Sequence, residues 1–221
     1  SFSPTSSKPT LHLHHSLTAH ATPLRPPSLT SAHILIVGGG ISGPANAWTL
    51  LDHSYRVTIL SAEWASYSTS QRLTSQIAGA LWEYLPAVCG QHTNVVSLER
   101  SKWWCIIAYE VWADIAAHEE LAKAVGVVMR QADFLFTKKV DEDEGLLAKM
   151  RKIRESGARG FRRDAAIIAE QGLDPTCGVV DAYTHLAPVI DTDKCSEWLM
   201  SLVEARGTTL VTWTLTGGLF L

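Results

Sequence analysis

Gly38-Gly39-Gly40-Ile41-Ser42-Gly43 stands directly behind the apolar run Ile34-Leu35-Ile36-Val37, and a carboxylate, Glu63, follows twenty positions after the last glycine. Between them Ala45, Trp48, Leu50 and Leu51 supply an apolar helical face, and Arg56-Val57-Thr58-Ile59-Leu60 reads as a second strand. Strand, tight turn, helix, strand and acidic residue in that order form the arrangement that holds the pyrophosphate and ribose of a dinucleotide. The alternative, a glycine-rich loop without a ligand, leaves the type and order of the flanking elements unexplained.

The chemistry of the turn follows from its residues. Gly38 lets the chain reverse as it leaves the strand, Gly40 allows backbone to approach a phosphate, and Gly43 lets the new helix lie against the sheet. First-turn N–H groups have no partner within a helix and carry the positive end of its dipole, so they form an anion site. Pro44 costs little there, because it gives up an N–H that the helix does not use. Glu63 is placed to accept hydrogen bonds from ribose hydroxyls.

Composition narrows the class. With 221 residues, a net charge of −3 and 46% hydrophobic residues, the chain reads as an ordinary globular protein of one large or two small domains. There is no basic excess to attract nucleic acid, and no apolar stretch long enough for a membrane span. Cys89, Cys105, Cys177 and Cys195 form no C-x-x-C, which excludes zinc-finger and thioredoxin spacings and favours free thiols. The histidines of the Ser/Thr/Pro-rich amino-terminal stretch (His12, His14, His15, His20) read as part of a solvated tail or as adventitious metal ligands, so no metal site is expected. That stretch, 1–33, reads as a disordered tail or leader remnant. At the other end Leu215-Thr216-Gly217-Gly218-Leu219-Phe220-Leu221 reads as a strand, a turn and a returning strand, so the domain is expected to continue beyond Leu221.

Further along, the hydroxyl-rich Ser66-Tyr67-Ser68-Thr69-Ser70-Gln71 precedes Thr74-Ser75-Gln76-Ile77-Ala78-Gly79-Ala80-Leu81-Trp82. Small residues there suit either the approach of backbone to a flat ring or a tightly packed strand. Periodicity predicts a helix over 101–124 stopped by Gly126, a strand over 132–137, and an exposed charged helix within 138–160. A strand over 178–183 precedes an extended loop over 185–190 containing Pro188. A helix capped by Asp191 or Thr192 then carries the stripe Cys195, Trp198, Leu199, Leu202 and Val203, and Gly207 leads into a last strand from Thr209. Arg162-Arg163 reads as a surface pair or an anion site. His185 reads as a structural histidine or an acid–base group.

Four stretches taken together, 34–43, 57–63, 76–84 and 185–192, resemble the FAD-dependent D-amino-acid oxidase family, especially its fungal members, from about residue 34 to the carboxyl end. The resemblance implies an α/β fold, an incomplete Rossmann-like FAD-binding domain with an inserted α+β substrate domain on a mixed sheet. The corresponding spans are 1–33, 34–95 for the FAD-binding segment and 96–221 for the substrate segment. It implies FAD as cofactor and oxidation of D-amino acids to imino acids, with hydrogen peroxide and ammonia released. Gly38, Gly39, Gly40, Ile41, Ser42 and Gly43 would surround the pyrophosphate, and Glu63 would hold the adenosine ribose with Trp64 beside it. Thr74 and Ser75 would reach the pyrophosphate or ribityl region, Gly79, Ala80 and Leu81 the flavin ring, and Glu83 the substrate face. No catalytic side chain carries over, since the family's substrate-clamping arginine and tyrosine belong to a later region. The partners implied are a D-amino acid and oxygen, with a homodimer compatible and a peroxisomal or cytoplasmic location. A truncated non-catalytic remnant and an NAD-dependent dehydrogenase are the competing readings. A two-stranded parallel remnant would leave an apolar edge open and have poor stability alone.

Overall fold

The computed structural model describes residues 12–13, 16–65, 73–85 and 94–214. The chain begins with a small ribbon, β1 (His12–Leu13) and β2 (Leu17–Thr18), then runs through β3 (His33–Val37), α1 (Ser42–Asp52), β4 (Arg56–Ser61) and α2 (Thr74–Ile77). A long helix α3 (Val95–Ala116), a short α4 (Glu119–Val125) and the strand β5 (Val127–Phe136) follow. Next come α5 (Glu144–Glu155), β6 (Arg162–Arg163), α6 (Ala166–Glu170), β7 (Asp181–Ile190), α7 (Thr192–Ala205) and β8 (Thr209–Thr212). These elements form two compact units interleaved along the chain. The first takes Ser1–Gly79, Lys123–Gly126 and Asp191–Leu221, and the second Ala80–Ala122 and Val127–Ile190.

Unit 1 is the predicted parallel unit. β3 and β4 pair in parallel from His33 opposite Arg56 to Val37 opposite Leu60. Val57, Ile59 and Ser61 alternate as buried positions of β4. Ala47, Trp48 and Leu51 of α1 and Cys195, Leu199, Leu202 and Val203 of α7 supply the buried helical stripes. Trp48 meets Trp198 edge-on with ring centroids 5.2 Å apart. On β3, by contrast, Leu35 and Val37 are 61% and 59% exposed, and among the described residues β3 has no strand on its outer edge.

Two expectations are corrected in this unit. The sheet has three strands, ordered β3-β4-β8, because β8 pairs in parallel with β4, Thr58 opposite Thr209 through Ser61 opposite Thr212. The linear boundary at residue 95 therefore does not separate the units, as α7 and β8 return to the first. The amino-terminal stretch is also built in from residue 16 to 33 rather than a loose tail. Asp52 accepts hydrogen bonds from the backbone N–H groups of Thr18 and Leu24, both at 2.9 Å. Trp48 Nε1 donates to the Thr18 carbonyl at 2.7 Å. Arg206 donates to the Thr18 and His20 carbonyls at 2.6 Å each and places Nη1 3.2 Å from Asp52 Oδ1, with both charged side chains fully buried. Side chains from α1 and the end of α7 thus satisfy the backbone of this segment, to which Leu17 adds a buried apolar side chain.

Unit 2 is built on an antiparallel sheet ordered β5-β7-β6. β5 and β7 pair along their whole length, Val127 opposite Ile190 to Phe136 opposite Asp181, and β6 adds Arg162 opposite Thr184 and Arg163 opposite Tyr183. The resemblance implies a mixed sheet; the strand pairings described in this unit are all antiparallel. Tyr84, Tyr109, Ala113, Val140, Met150, Ile153, Ala158 and Tyr183 form the core, with Phe134 stacked on Tyr183 at 4.9 Å.

Local differences from the periodicity reading have local causes. The helix expected over 101–124 starts earlier, at Val95, because Asn94 Oδ1 caps it through Ser97 N at 2.8 Å. It also divides after Ala116, and Glu119 and Glu120 supply an acidic first turn to α4. Gly126 stops α4 as expected, with φ +75°, and a Cβ there would lie 2.7 Å from Asp191 Cβ. The stretch 185–190 is strand rather than loop. Pro188 is tolerated because its polar backbone side faces away from β5, on the edge where β6 has ended and the isolated bridge of Leu81 to Val189 follows. Arg163 is neither a free surface group nor an anion site: it pairs with Asp141 Oδ1 at 2.9 Å and donates from Nε to Asp181 Oδ1 at 3.2 Å. That arginine holds the Asp181 carboxyl below the usual carboxylate range. Cys105, Cys177 and Cys195 are free thiols. Among the described residues no helix is long and apolar enough to cross a membrane, and no His, Cys, Asp or Glu group is arranged to hold a metal ion. The readings made on residues 1–11, His14, His15, 66–72, Cys89 and 215–221 lie outside the described residues.

Candidate functional site

The glycine turn is set by contacts that a side chain would break. Gly38 has φ +118° and donates its N–H to the Leu60 carbonyl at 2.8 Å. Gly39 N donates to Ser61 Oγ at 2.9 Å, and Ser61 Oγ donates in turn to the Glu63 carbonyl at 2.6 Å. A Cβ on Gly39 would fall 2.7 Å from that hydroxyl. Ile41 N donates to Ser75 Oγ at 3.0 Å, and a Cβ on Gly40 would stand 3.0 Å from the same oxygen. Gly43 donates to the Gly40 carbonyl at 2.9 Å, and its Cβ would lie 2.0 Å from the Gly38 carbonyl oxygen. α1 begins at Ser42 with no acidic residue in its first turn and no side-chain cap on Ile41. Its dipole end is left to favour an anion. With the Gly38, Gly39, Ile41 and Gly43 N–H groups engaged in the protein, the Gly40 and Ser42 N–H groups and this dipole end are what fits a dinucleotide pyrophosphate.

Glu63 is exposed, just past the end of β4. Trp64 beside it donates from Nε1 to Thr212 Oγ1 at 2.8 Å, and Trp213 N donates to the Ser61 carbonyl at 2.9 Å. The strand ends of β4 and β8 thereby fix the stretch carrying the predicted ribose carboxylate. Thr74 opens α2 as an exposed residue, while Ser75 faces the turn. Among the described residues nothing lies within 4 Å of a Cβ built at Gly79, so the space beside it is open. No steric need for glycine exists at that position in the protein alone.

Ala80, Leu81 and Glu83 belong to unit 2. Ile190 N donates to the Ala80 carbonyl and Trp82 N to the Pro188 carbonyl, both at 3.0 Å, flanking a bridge between Leu81 and Val189. In this pattern the N–H and C=O of Leu81 itself point away from β7, and its side chain is 57% exposed. Glu83 is ion-paired, accepting from Lys149 Nζ at 2.8 Å. Its neighbour Trp82 donates from Nε1 to the Cys105 carbonyl at 2.9 Å, and burial pushes the Cys105 thiol up to about 11.

His185 is a core residue of unit 2. Its ring stacks on Phe134 at 5.2 Å and meets the edge of Trp82 at 5.6 Å. Nδ1 lies 3.1 Å from the Leu186 carbonyl, and Nε2 is buried without a hydrogen-bond partner. Burial lowers its pKa; the Leu186 carbonyl opposes that shift, and Lys149 adds to it. The unfolded chain therefore takes up a proton first. Stability contributed at this site is complete above the ordinary histidine value of about 6.5 and declines as pH falls below it. Thermal melts at about pH 7.5 and about pH 5.5 should show a smaller difference in His185→Phe than in the unmodified protein. An unchanged difference would contradict this reading.

Sequence reasoning missed Ser61 and Gln76. Ser61 is a small polar residue closing an apolar strand, which is a readable signal next to a glycine turn. Gln76 is 5% exposed and hydrogen-bonded to Asp193, a role that nothing local announces.

A family model described as FAD dependent oxidoreductase (DAO) matches residues 33–217. Solved structures share the fold at low identity. The L-amino acid deaminase from Proteus myxofaciens is 13% identical with a TM-score of 0.58, over 85% of this chain and 39% of that one. The L-proline dehydrogenase from P. horikoshii is 16% identical with a TM-score of 0.55, over 87% and 46%. The glycine oxidase from Geobacillus kaustophilus is 18% identical with a TM-score of 0.52, over 81% and 46%. The chain thus spans less than half the length of each of these structures. A comparison with curated protein sequences finds no match.

Proposed function

The chain belongs to the DAO family of FAD dependent oxidoreductases, and from that premise we propose that it binds FAD at the glycine turn and serves the oxidation of D-amino acids. The observation that carries the cofactor half is the amino end of α1, which has no acidic residue in its first turn and no side-chain cap, behind a turn whose Gly40 and Ser42 N–H groups have no acceptor among the described residues. These two N–H groups, of Gly40 and Ser42, would hold the pyrophosphate with the dipole end of α1, Glu63 the ribose, and Ser75 an adjoining phosphate oxygen. Bound FAD supplies hydride acceptance and, on reoxidation, reduction of oxygen to peroxide. Leu81, with its backbone polar groups turned away from β7, would meet the flavin edge, and Glu83 would lie toward the substrate. The D-amino-acid preference is supported by the order of the four resembling stretches. Proteins of the same fold act, by their descriptions, on L-amino acids, L-proline and glycine. The family match favours flavin over the nicotinamide alternative.

The test is a visible spectrum of the purified protein after FAD addition and gel filtration, followed by peroxide release with D-alanine, D-aspartate, L-alanine and glycine. Retained flavin absorbance and peroxide from a D-amino acid are expected. A colourless protein would overturn the cofactor half. Bound flavin with no peroxide from either D-substrate would overturn the substrate half.

A further inference from the structure

α2 has only four residues, Thr74–Ile77, too few to hold a helical turn unaided. Gln76 holds it from three sides. Its Oε1 accepts from Leu73 N at 3.2 Å, its Nε2 donates to Asp193 Oδ1 at 2.9 Å, and its backbone carbonyl accepts from Thr192 Oγ1 at 2.6 Å. Thr192 and Asp193 open α7, whose buried stripe lies in the core of unit 1. The residue before Gln76 is Ser75, whose Oγ stands 3.0 Å from Ile41 N in the glycine turn. A hydroxyl that accepts this N–H still has its own proton to donate.

We infer that Gln76 is a positioning residue for the dinucleotide: it ties α2 to the first turn of α7 and so holds the Ser75 hydroxyl against the Ile41 N–H at the pyrophosphate cradle. The inference rests on the FAD reading above. The contribution of α7 runs through Gln76, which Thr192 and Asp193 hold. The polar side chain at position 76 is needed to link two elements that no local sequence pattern joins.

A thermodynamic cycle on FAD affinity, read by fluorescence titration of the apoprotein, separates this role from a purely structural one. Ser75→Ala and Gln76→Leu should each weaken FAD binding about tenfold, the scale of one hydrogen bond. The double variant should be no weaker than either single one, because both changes remove the same contact. Losses that add to about a hundredfold, or unchanged affinity in Gln76→Leu, would overturn the inference. If Gln76→Leu fails to fold by circular dichroism, the exchange Gln76→Glu with Asp193→Asn carries the test. Gln76→Glu alone sets two carboxylates together and should lose about tenfold, while the paired exchange restores a donor and an acceptor and should recover binding to within about threefold. Equal affinity of Gln76→Glu with and without Asp193→Asn would overturn it. An unmodified protein that binds no FAD sinks the cofactor reading itself, a result distinct from an additive cycle in a protein that does bind.

Discussion

Arg206→Ala is expected to lower the unfolding free energy by about 3–5 kcal/mol, the cost of leaving one partner of a buried ion pair alone. The Asp52 and Arg206 side chains are fully buried, and the guanidinium also donates to the carbonyls of Thr18 and His20. Burial lowers the Arg206 pKa, and Asp52 opposes that shift. Removing the arginine leaves the Asp52 carboxylate in the core and releases two backbone acceptors. Urea denaturation should show an earlier midpoint. Asp52→Ala should destabilise too, and the double variant should cost less than the sum of the two. Limited proteolysis should then cut between residues 16 and 33 before other sites. A midpoint unchanged in Arg206→Ala would mean that the amino-terminal stretch is held by other contacts.

Gly43→Ala is expected to remove FAD retention. The new Cβ would lie 2.0 Å from the Gly38 carbonyl oxygen and 3.2 Å from its carbon. Both are backbone atoms of the turn itself, so no side chain can move aside. The turn must open, which draws Ile41 N away from Ser75. Forcing atoms into so fixed a site costs about 3 kcal/mol, equivalent to about a hundredfold in affinity if it falls on the bound state. Gly145→Ala, in the first turn of α5, is the control, because its Cβ would stand 3.3 Å from Asp143 Oδ1 and alanine suits a helix. Fluorescence titration of both variants with FAD decides the matter. Equal affinities would show that the glycine at position 43 serves only the packing of α1.

The parts legible in the sequence were those whose cause is local. Gly38 must take a positive φ and Gly43 must admit a carbonyl, and both demands are written within six residues. The α7 stripe was equally plain, since helical periodicity needs no knowledge of the partner. β8 was assigned to the wrong unit because its partner β4 lies far back in the chain, and a short apolar strand carries no address. The order of the stretch from 16 to 33 is hidden for a related reason: its backbone is held by Asp52, Trp48 and Arg206, which lie far from it in the sequence. Gln76 went unnoticed because a buried amide earns its meaning from Thr192 and Asp193, more than a hundred residues onward.

The interleaving of the two units also sets the order in which they can be completed during synthesis. The Trp64 side chain waits for Thr212, 148 residues later, and β4 waits equally long for β8 along one edge. Unit 2 is contiguous from Ala80 to Ile190 apart from Lys123–Gly126, so it emerges from the ribosome whole while β3, α1 and β4 are still without their third strand. Long-range closure of this kind is slow, and an unpaired β4 edge during that interval invites association between nascent chains. Slower translation ahead of α7 would lengthen that exposure, and chaperone dependence should concentrate there.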